Sequence, residues 1–345
     1  MSVHSCLPIH AGAPWLAPLA GWSDLSFRLL CREYGAAVCC TEMVSAKGLV
    51  YEGRNGGRAT HELLATVPED QPLVVQLFGE DPAFMAQAVS LLAEQGIRFF
   101  DCNMGCSVPK VTKAGAGAAL LRDPERAAAV GKAMLEAARP YGAQVGFKLR
   151  LGWDRQSFVA SELAKRLESL GAAWLTLHPR TAVQGFSGSA DWQHLAEFVR
   201  AVSIPVIASG DLWTAEDGQR CVCETGSAAI MYARGALRDP AIFARYLALT
   251  GNRRTEACIL AEDESPVVLH QRMLRHAALA RAHTSPHTAL LKMRTAVPRY
   301  VRHLEGAGHL RREIIACQSW EDFADILDRF FSSFPFEEKQ AKSSL

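Results

Sequence analysis

An α/β fold, a (β/α)8 TIM barrel followed by a small C-terminal all-α helical bundle domain, is what this sequence predicts, on three observations. Eight short apolar or β-branched runs recur along the first 250 residues, each ending in a polar or Gly-containing loop and most leading into a helix-like segment. Asp-Pro pairs at 81–82, 123–124 and 239–240 stand where helices should open, so strand and helix alternate and the strands should run parallel with right-handed crossovers. After Gly251 the chain turns polar and charged, as a linker does, and the patterns that follow are helical only. An eight-fold barrel usually takes about 250 residues. A doubly wound sheet would leave two runs unexplained, and no G-x-G-x-x-G follows the first.

Taken in order, the strands are expected at 15–20, 36–43, 73–78, 97–103, 145–151, 174–179, 205–210 and 228–233. Asp81-Pro82 opens a helix over 83–95 that stops at Gly96, and Asp123-Pro124 opens one over 125–139 that stops before Pro140. Residues 157–170 carry apolar positions at three- and four-residue steps up to Gly171. Thr214 to Asp217 has the form of a capping box with an acidic variant, and Asp239-Pro240 opens a helix over 241–249. The predicted units are therefore a barrel over 1–250, a linker over 251–266, a helical domain over 267–335 and a disordered tail over 336–345. In the helical domain the pattern gives helices at 267–283, 288–305, 309–315 and a last one capped by Ser319 and running to 331. Pro298 should kink or break the second.

Hydrophobic content of 49% and charged content of 21% describe an ordinary globular protein. The longest apolar stretches fall far short of a bilayer span and the N-terminus lacks signal-peptide order, so a cytoplasmic protein with no membrane partner is expected. Ten irregularly spaced cysteines point to free thiols, and Cys39-Cys40 and Cys221-x-Cys223 lack zinc-site spacing, so no metal is expected. The net charge of +1 hides a local asymmetry. Between Gln271 and Arg312 stand nine Arg or Lys and five His against the single acid Glu305. A merely solvated face interleaves both signs, so a phosphate-contacting surface is expected, with Arg294, Arg299 and Arg302 among its members.

If the barrel closes, its strand ends converge on one pocket. Pro18, Leu19 and Ala20 offer close backbone approach after the first strand, and Gln76 offers a two-sided amide. Asn103 closes the fourth strand and Cys106 follows it, Lys148 lies within the fifth, and His178 and Arg180 end the sixth. Ser209, Gly210 and Asp211 form a turn after the seventh, and Ala233 and Arg234 one after the eighth. Two such turns backed by a helix N-terminus make a phosphate cradle, which implies a phosphate-bearing cofactor or a phosphorylated substrate. A cation at mid-pocket depth suits a flavin, because it stabilises the anionic reduced ring.

The succession APLAGWSD, TEMVSAKGL, VQLFGEDP, NMGCSVPKVTKAGAGAALLRDP, KLRLGWD, HPRTAVQGFSGSADW, IASGDL and MYARGAL resembles the tRNA-dihydrouridine synthase family, in the family's order from about Pro14 to Asp239. Ser107, Pro179, Ser209 and Ala233 stand where that family commonly has Pro, Gly, Asn and Gly. The resemblance implies an FMN-dependent enzyme, reduced by NADPH or NADH, that saturates the C5=C6 bond of a uridine in tRNA. It makes Cys106 the general acid at C5, a role for which a thiol still carries its proton at neutral pH. Asn103 and Arg180 would hold the uracil, Lys148, His178 and Gln76 the flavin ring, and the turns at 209–211 and 233–234 its phosphate. The extruded uridine would sit in the pocket and the tRNA backbone on the basic helices, with no protein partner implied. A flavin barrel acting on a free pyrimidine and a non-catalytic RNA-binding barrel are the competing readings.

Overall fold

The apolar runs pair as parallel strands: β1 (Trp15–Leu16), β2 (Val38–Cys40), β3 (Val44–Ser45), β4 (Leu73–Phe78), β5 (Phe99–Met104), β6 (Gln144–Arg150), β7 (Trp174–His178), β8 (Val206–Ala208) and β9 (Ala229–Tyr232). The computed structural model describes residues 7–52, 57–251 and 265–334. The sheet closes through β1 against β9 and β2 against β4, so the predicted (β/α)8 barrel is what forms. Its second stave is split. Cys39 and Cys40 pair with the start of β4, Val44 and Ser45 with its end, and between them the Thr41 hydroxyl accepts the Gln76 N–H at 3.1 Å. That break brings Met43 to the cavity wall described below.

Alternation places every second side chain inside the barrel. At the N-terminal end the interior is an apolar plug in which the rings of Trp15 and Trp174 lie 5.8 Å apart. Gly146 leaves room for it, since a Cβ there would sit 2.0 Å from the Trp174 ring. Towards the other end the same interior rows carry Gln76, Asp101, Asn103, Lys148 and His178, so the barrel is dry and filled below and polar above. A larger apolar layer, including Phe100, Phe147, Leu149 and Leu177, packs the strands against the outer helices.

The cap signals act as read. Asp81 and Asp123 accept the first N–H groups of helices Pro82–Glu94 and Pro124–Ala138, and Thr214 with Asp217 forms a complete capping box. The helix expected from 157 begins only at Ala160, because Val159 and Ala160 both donate to the Leu151 carbonyl and fold the preceding residues back on β6. In the C-terminal unit, helices Pro266–His283, Pro286–Tyr300, Ala307–Ala316 and Trp320–Ser332 enclose their own core of Met273, Met293, Val297, Leu310 and Leu327. The second ends at Tyr300, two residues past Pro298, rather than reaching 305. Most of the expected linker, 252–264, and the expected tail, 336–345, lie outside the described residues. Among the described residues no helix is long and apolar enough to cross a membrane.

The bundle docks on helix Leu25–Glu33. Leu279 packs on Leu25, Leu29 and Leu30, and Trp22 enters the edge of the bundle core. Here the charge reading needs correction. Arg272, Arg275 and Lys292, counted with the basic run, pair with Asp239, Glu33 and Asp24 of the barrel at 2.6, 2.5 and 2.6 Å. These cations hold the two units together; Arg294, Arg299 and Arg302 form no ion pair with a described residue.

Candidate active site

A cavity of about 200 Å³ opens at the C-terminal ends of the strands. Pro18, Leu19, Ala20, Gln76, Asn103, Cys106, Lys148, His178, Ser209, Gly210, Asp211, Ala233 and Arg234 all line it, brought from seven separate strand ends. Met43, Arg150, Phe186 and Trp213 also line it and went unrecognised in the sequence. Arg150 was legible, being two residues from Lys148 on the same face of β6. Phe186 and Trp213 sit on loops, where no period announces them.

Cys106 is half-buried on the wall, and its loop is held from three sides. Asn103 Oδ1 accepts the N–H groups of Gly105 and Cys106 at 3.1 and 2.9 Å, and Arg150 Nε donates to the Gly105 carbonyl at 2.8 Å. The Cys106 carbonyl accepts from Ala118 N–H at 2.9 Å. The last bond needs Gly117, which has φ +62° and would put a Cβ 2.7 Å from the Cys106 oxygen. Asn103 is thus committed at its oxygen, and its Nδ2 donates to Gln76 Oε1 at 2.8 Å.

Lys148 and the buried Asp101 form the charged floor. Burial pushes the Lys148 ammonium down from its ordinary range, with the Asp101 carboxylate pulling it back, and burial pushes the Asp101 carboxyl up. Lys148 lines the cavity and makes no hydrogen bond or ion pair with a described residue. His178 stacks on Phe186 and has its Nε2 3.2 Å from Arg180. Burial, then Lys148, Arg150 and Arg180, hold it well below its usual pKa, so the ring is neutral. With an arginine N–H against Nε2, Nδ1 carries the proton.

Arg180 does not line the cavity, which corrects its expected place beside a substrate base. Its guanidinium is buried behind the turn after β8, bidentate to Asp211 at 2.9 and 2.6 Å and bonded to the carbonyls of Ser187 and Gly188. Asp211 also accepts from Arg234 and from Ala190 N–H. Burial alone would raise its pKa, but the Arg180 bonds outweigh it and hold the carboxyl below its ordinary value. The Asp211 side chain is therefore occupied. Gly210, at φ +106°, is needed there, since a Cβ would lie 2.7 Å from the His178 ring. The N–H groups of Gly210 and Asp211 donate to no carbonyl or side chain of the described residues. Arg234 starts a helix beside them and lies between the rings of Phe186 and Trp213, at 4.5 and 4.4 Å.

Of the cations expected to contact phosphate, Arg302 is exposed, Arg299 is exposed and stacked 4.0 Å over Trp22, and Arg294 is half-buried with its Nε unpaired. None reaches the cavity.

The family model described as "Dihydrouridine synthase (Dus)" matches residues 15–334. "Probable tRNA-dihydrouridine synthase 1" of Synechocystis sp. is 36% identical over 320 residues, 92% of this chain and 86% of that one. "Probable tRNA-dihydrouridine synthase" of Treponema pallidum is 32% identical over 326 residues, 92% of each chain. Among solved structures, histamine dehydrogenase from Rhizobium sp. 4-9 superposes with a TM-score of 0.52 at 12% identity, covering 76% of this chain and 48% of that one, a likeness of barrel fold alone. The match runs from β1 through the last bundle helix and takes in every strand end that builds the cavity: the chain belongs to the dihydrouridine synthase family.

Proposed function

We propose that this protein reduces the C5=C6 bond of a uridine in tRNA, using FMN and a nicotinamide reductant, NADPH or NADH, with Cys106 as general acid. The observation that carries the reading is the cavity itself, in which a half-buried thiol, an ammonium without a protein acceptor and a turn with free backbone N–H groups share one wall system.

The residues suit FMN. The Gly210 turn, kept open because a side chain there would strike His178, offers backbone donors to a phosphate, and Ser209, Ala233 and Arg234 stand beside it. Pro18, Leu19 and Ala20 form an apolar wall for the ring, Gln76 and His178 supply polar edges, and Lys148 supplies a cation for anionic character. When bound, FMN would supply hydride chemistry toward C6 of the base. Cys106 gives the matching proton to C5, so the ring gains two hydrogens and the thiolate left behind is reprotonated from solvent through the cavity mouth. Asn103 keeps Cys106 in place, and its second amide N–H, now on Met43 Sδ at 3.7 Å, could exchange that weak acceptor for a uracil carbonyl. The exposed Arg299 and Arg302, with Arg294, would hold the RNA backbone while the uridine leaves its stack.

The test compares the nucleosides of tRNA from cells with and without the gene, then complements with the parent or with Cys106→Ala. Loss of dihydrouridine at one mapped position, restored by the parent and not by the variant, is expected. Unchanged dihydrouridine in the deletion strain would overturn the reading.

A further inference from the structure

We infer that Asp101 is a positioning residue that sets the polarity of a hydrogen-bond chain running through Gln76 and Asn103 to the backbone of Cys106. What Cys106 does chemically rests on the function proposed above; the chain of bonds does not. Asp101 lies two residues before Asn103 on β5, so both face the barrel interior, and Asp101, Gln76 and Asn103 are all buried. Asp101 Oδ2 accepts from Gln76 Nε2 at 2.6 Å, Gln76 Oε1 accepts from Asn103 Nδ2 at 2.8 Å, and Asn103 Oδ1 accepts from the N–H groups of Gly105 and Cys106.

Each amide could occupy its place equally well turned over, because its oxygen and nitrogen ends have the same size. The two ends of the chain remove that freedom. At one end Asp101 Oδ2 accepts from Gln76; burial raises the carboxyl to about 7, and the Gln76 bond and then the Lys148 ammonium draw it back toward the charged, accept-only form. At the other end backbone N–H groups can only donate. One arrangement satisfies both, and in it Cys106 is held by its neighbour's oxygen. Gln76 and Asn103 are each donor and acceptor at once, so at the buried end Asp101 sets the order; Met43 Sδ, 3.7 Å from Asn103 Nδ2, is a weak acceptor further along. The second carboxylate oxygen of Asp101 has no protein partner among the described residues, so the group is not tied down by some other structural duty.

In Asp101→Asn the buried end of the chain can donate or accept, so only the Gly105 and Cys106 N–H groups still oppose the flipped arrangement, which costs less relative to the native one than in the parent. Peptide-resolved alkylation of the full chain is expected to modify Cys106 about tenfold faster than in the parent, while the buried Cys31 and Cys102 stay protected. Dihydrouridine formation is expected to fall roughly 10²-fold with tRNA affinity unchanged, the mark of a misplaced group rather than a lost contact. The double variant Asp101→Asn/Gln76→Glu moves the obligate acceptor one link along, where it takes a bond from the introduced amide and another from Asn103. Cys106 alkylation is expected to return to the parent rate. Parent-rate alkylation in the single variant, or a double variant as fast as the single, would overturn the inference. So would equal acceleration at Cys31 and Cys102, which would make Asp101 a prop of the whole fold. A parent protein that makes no dihydrouridine would refute the proposed function instead, and the alkylation result, which needs neither cofactor nor RNA, would still decide about Asp101.

Discussion

Gly117 shows how far a residue's effect travels. Its backbone is left-handed, and an added Cβ would press on the Cys106 oxygen at 2.7 Å and on Val111 at 2.9 Å. Gly117→Ala should cost about 1–3 kcal/mol of stability and lower turnover more than it lowers tRNA affinity, because the strain is relieved by moving the loop that carries the thiol. Thermal melting with steady-state kinetics checks this, and an unshifted Tm with parent kcat would refute it. At this scale the sequence was informative where chemistry and strand end coincide, as at Cys106, Lys148, Ser209 and Arg234. It misled at Arg180, whose place after a strand end suited a substrate contact but whose partner, Asp211, lies 31 residues away. Asp101 was passed over because a lone acid in an apolar strand says nothing until Gln76, 25 residues before it, is seen to meet it.

Among the elements, helix starts were legible because a cap is a local bond between neighbours, as at Asp81, Asp123, Thr214 and Ser319. A start fixed by bonds back to the end of β6 was not, which is why the helix before β7 begins three residues late. Helix Pro266–His283 carries a testable consequence of its docking. His276 is buried against Phe27, its Nδ1 2.9 Å from the Tyr300 hydroxyl, and burial pushes its pKa down to about 4. The unfolded chain takes up this proton near pH 6.5 and the folded chain only near 4, so protonation favours unfolding. Stability present above pH 6.5 should therefore be lost as pH falls, by about 3 kcal/mol at pH 4 from this residue. His276→Asn should flatten the dependence by about one proton. Urea melts of parent and variant between those pH values measure it, and parallel curves would contradict the burial of this ring.

For the whole molecule, the disposition of charge decides how RNA could be held. Deleting the bundle would strip cover from Trp22, Leu25, Leu29 and Leu30, so loss of activity on truncation would say nothing about binding. Single changes are cleaner. Arg302→Ala should weaken tRNA binding and lower the slope of log K against log salt by about 1, with no change in melting temperature. A titration across salt concentrations reads the slope, and a parent-like slope would remove Arg302 from the surface. The basic run itself was plain from composition, yet three of its cations face barrel acids, a division no count could give.

By itself the sequence determined the barrel, the bundle, the capped helix starts and the chemical character of the cavity, because period, cap and motif are properties of neighbouring residues. Only the tertiary structure decided which charges cancel, which amides are locked and which arginine lines the cavity. Those outcomes depend on distances of a few ångströms between residues far apart in the chain, and a guanidinium buried against a carboxylate is a different reagent from the same group in water.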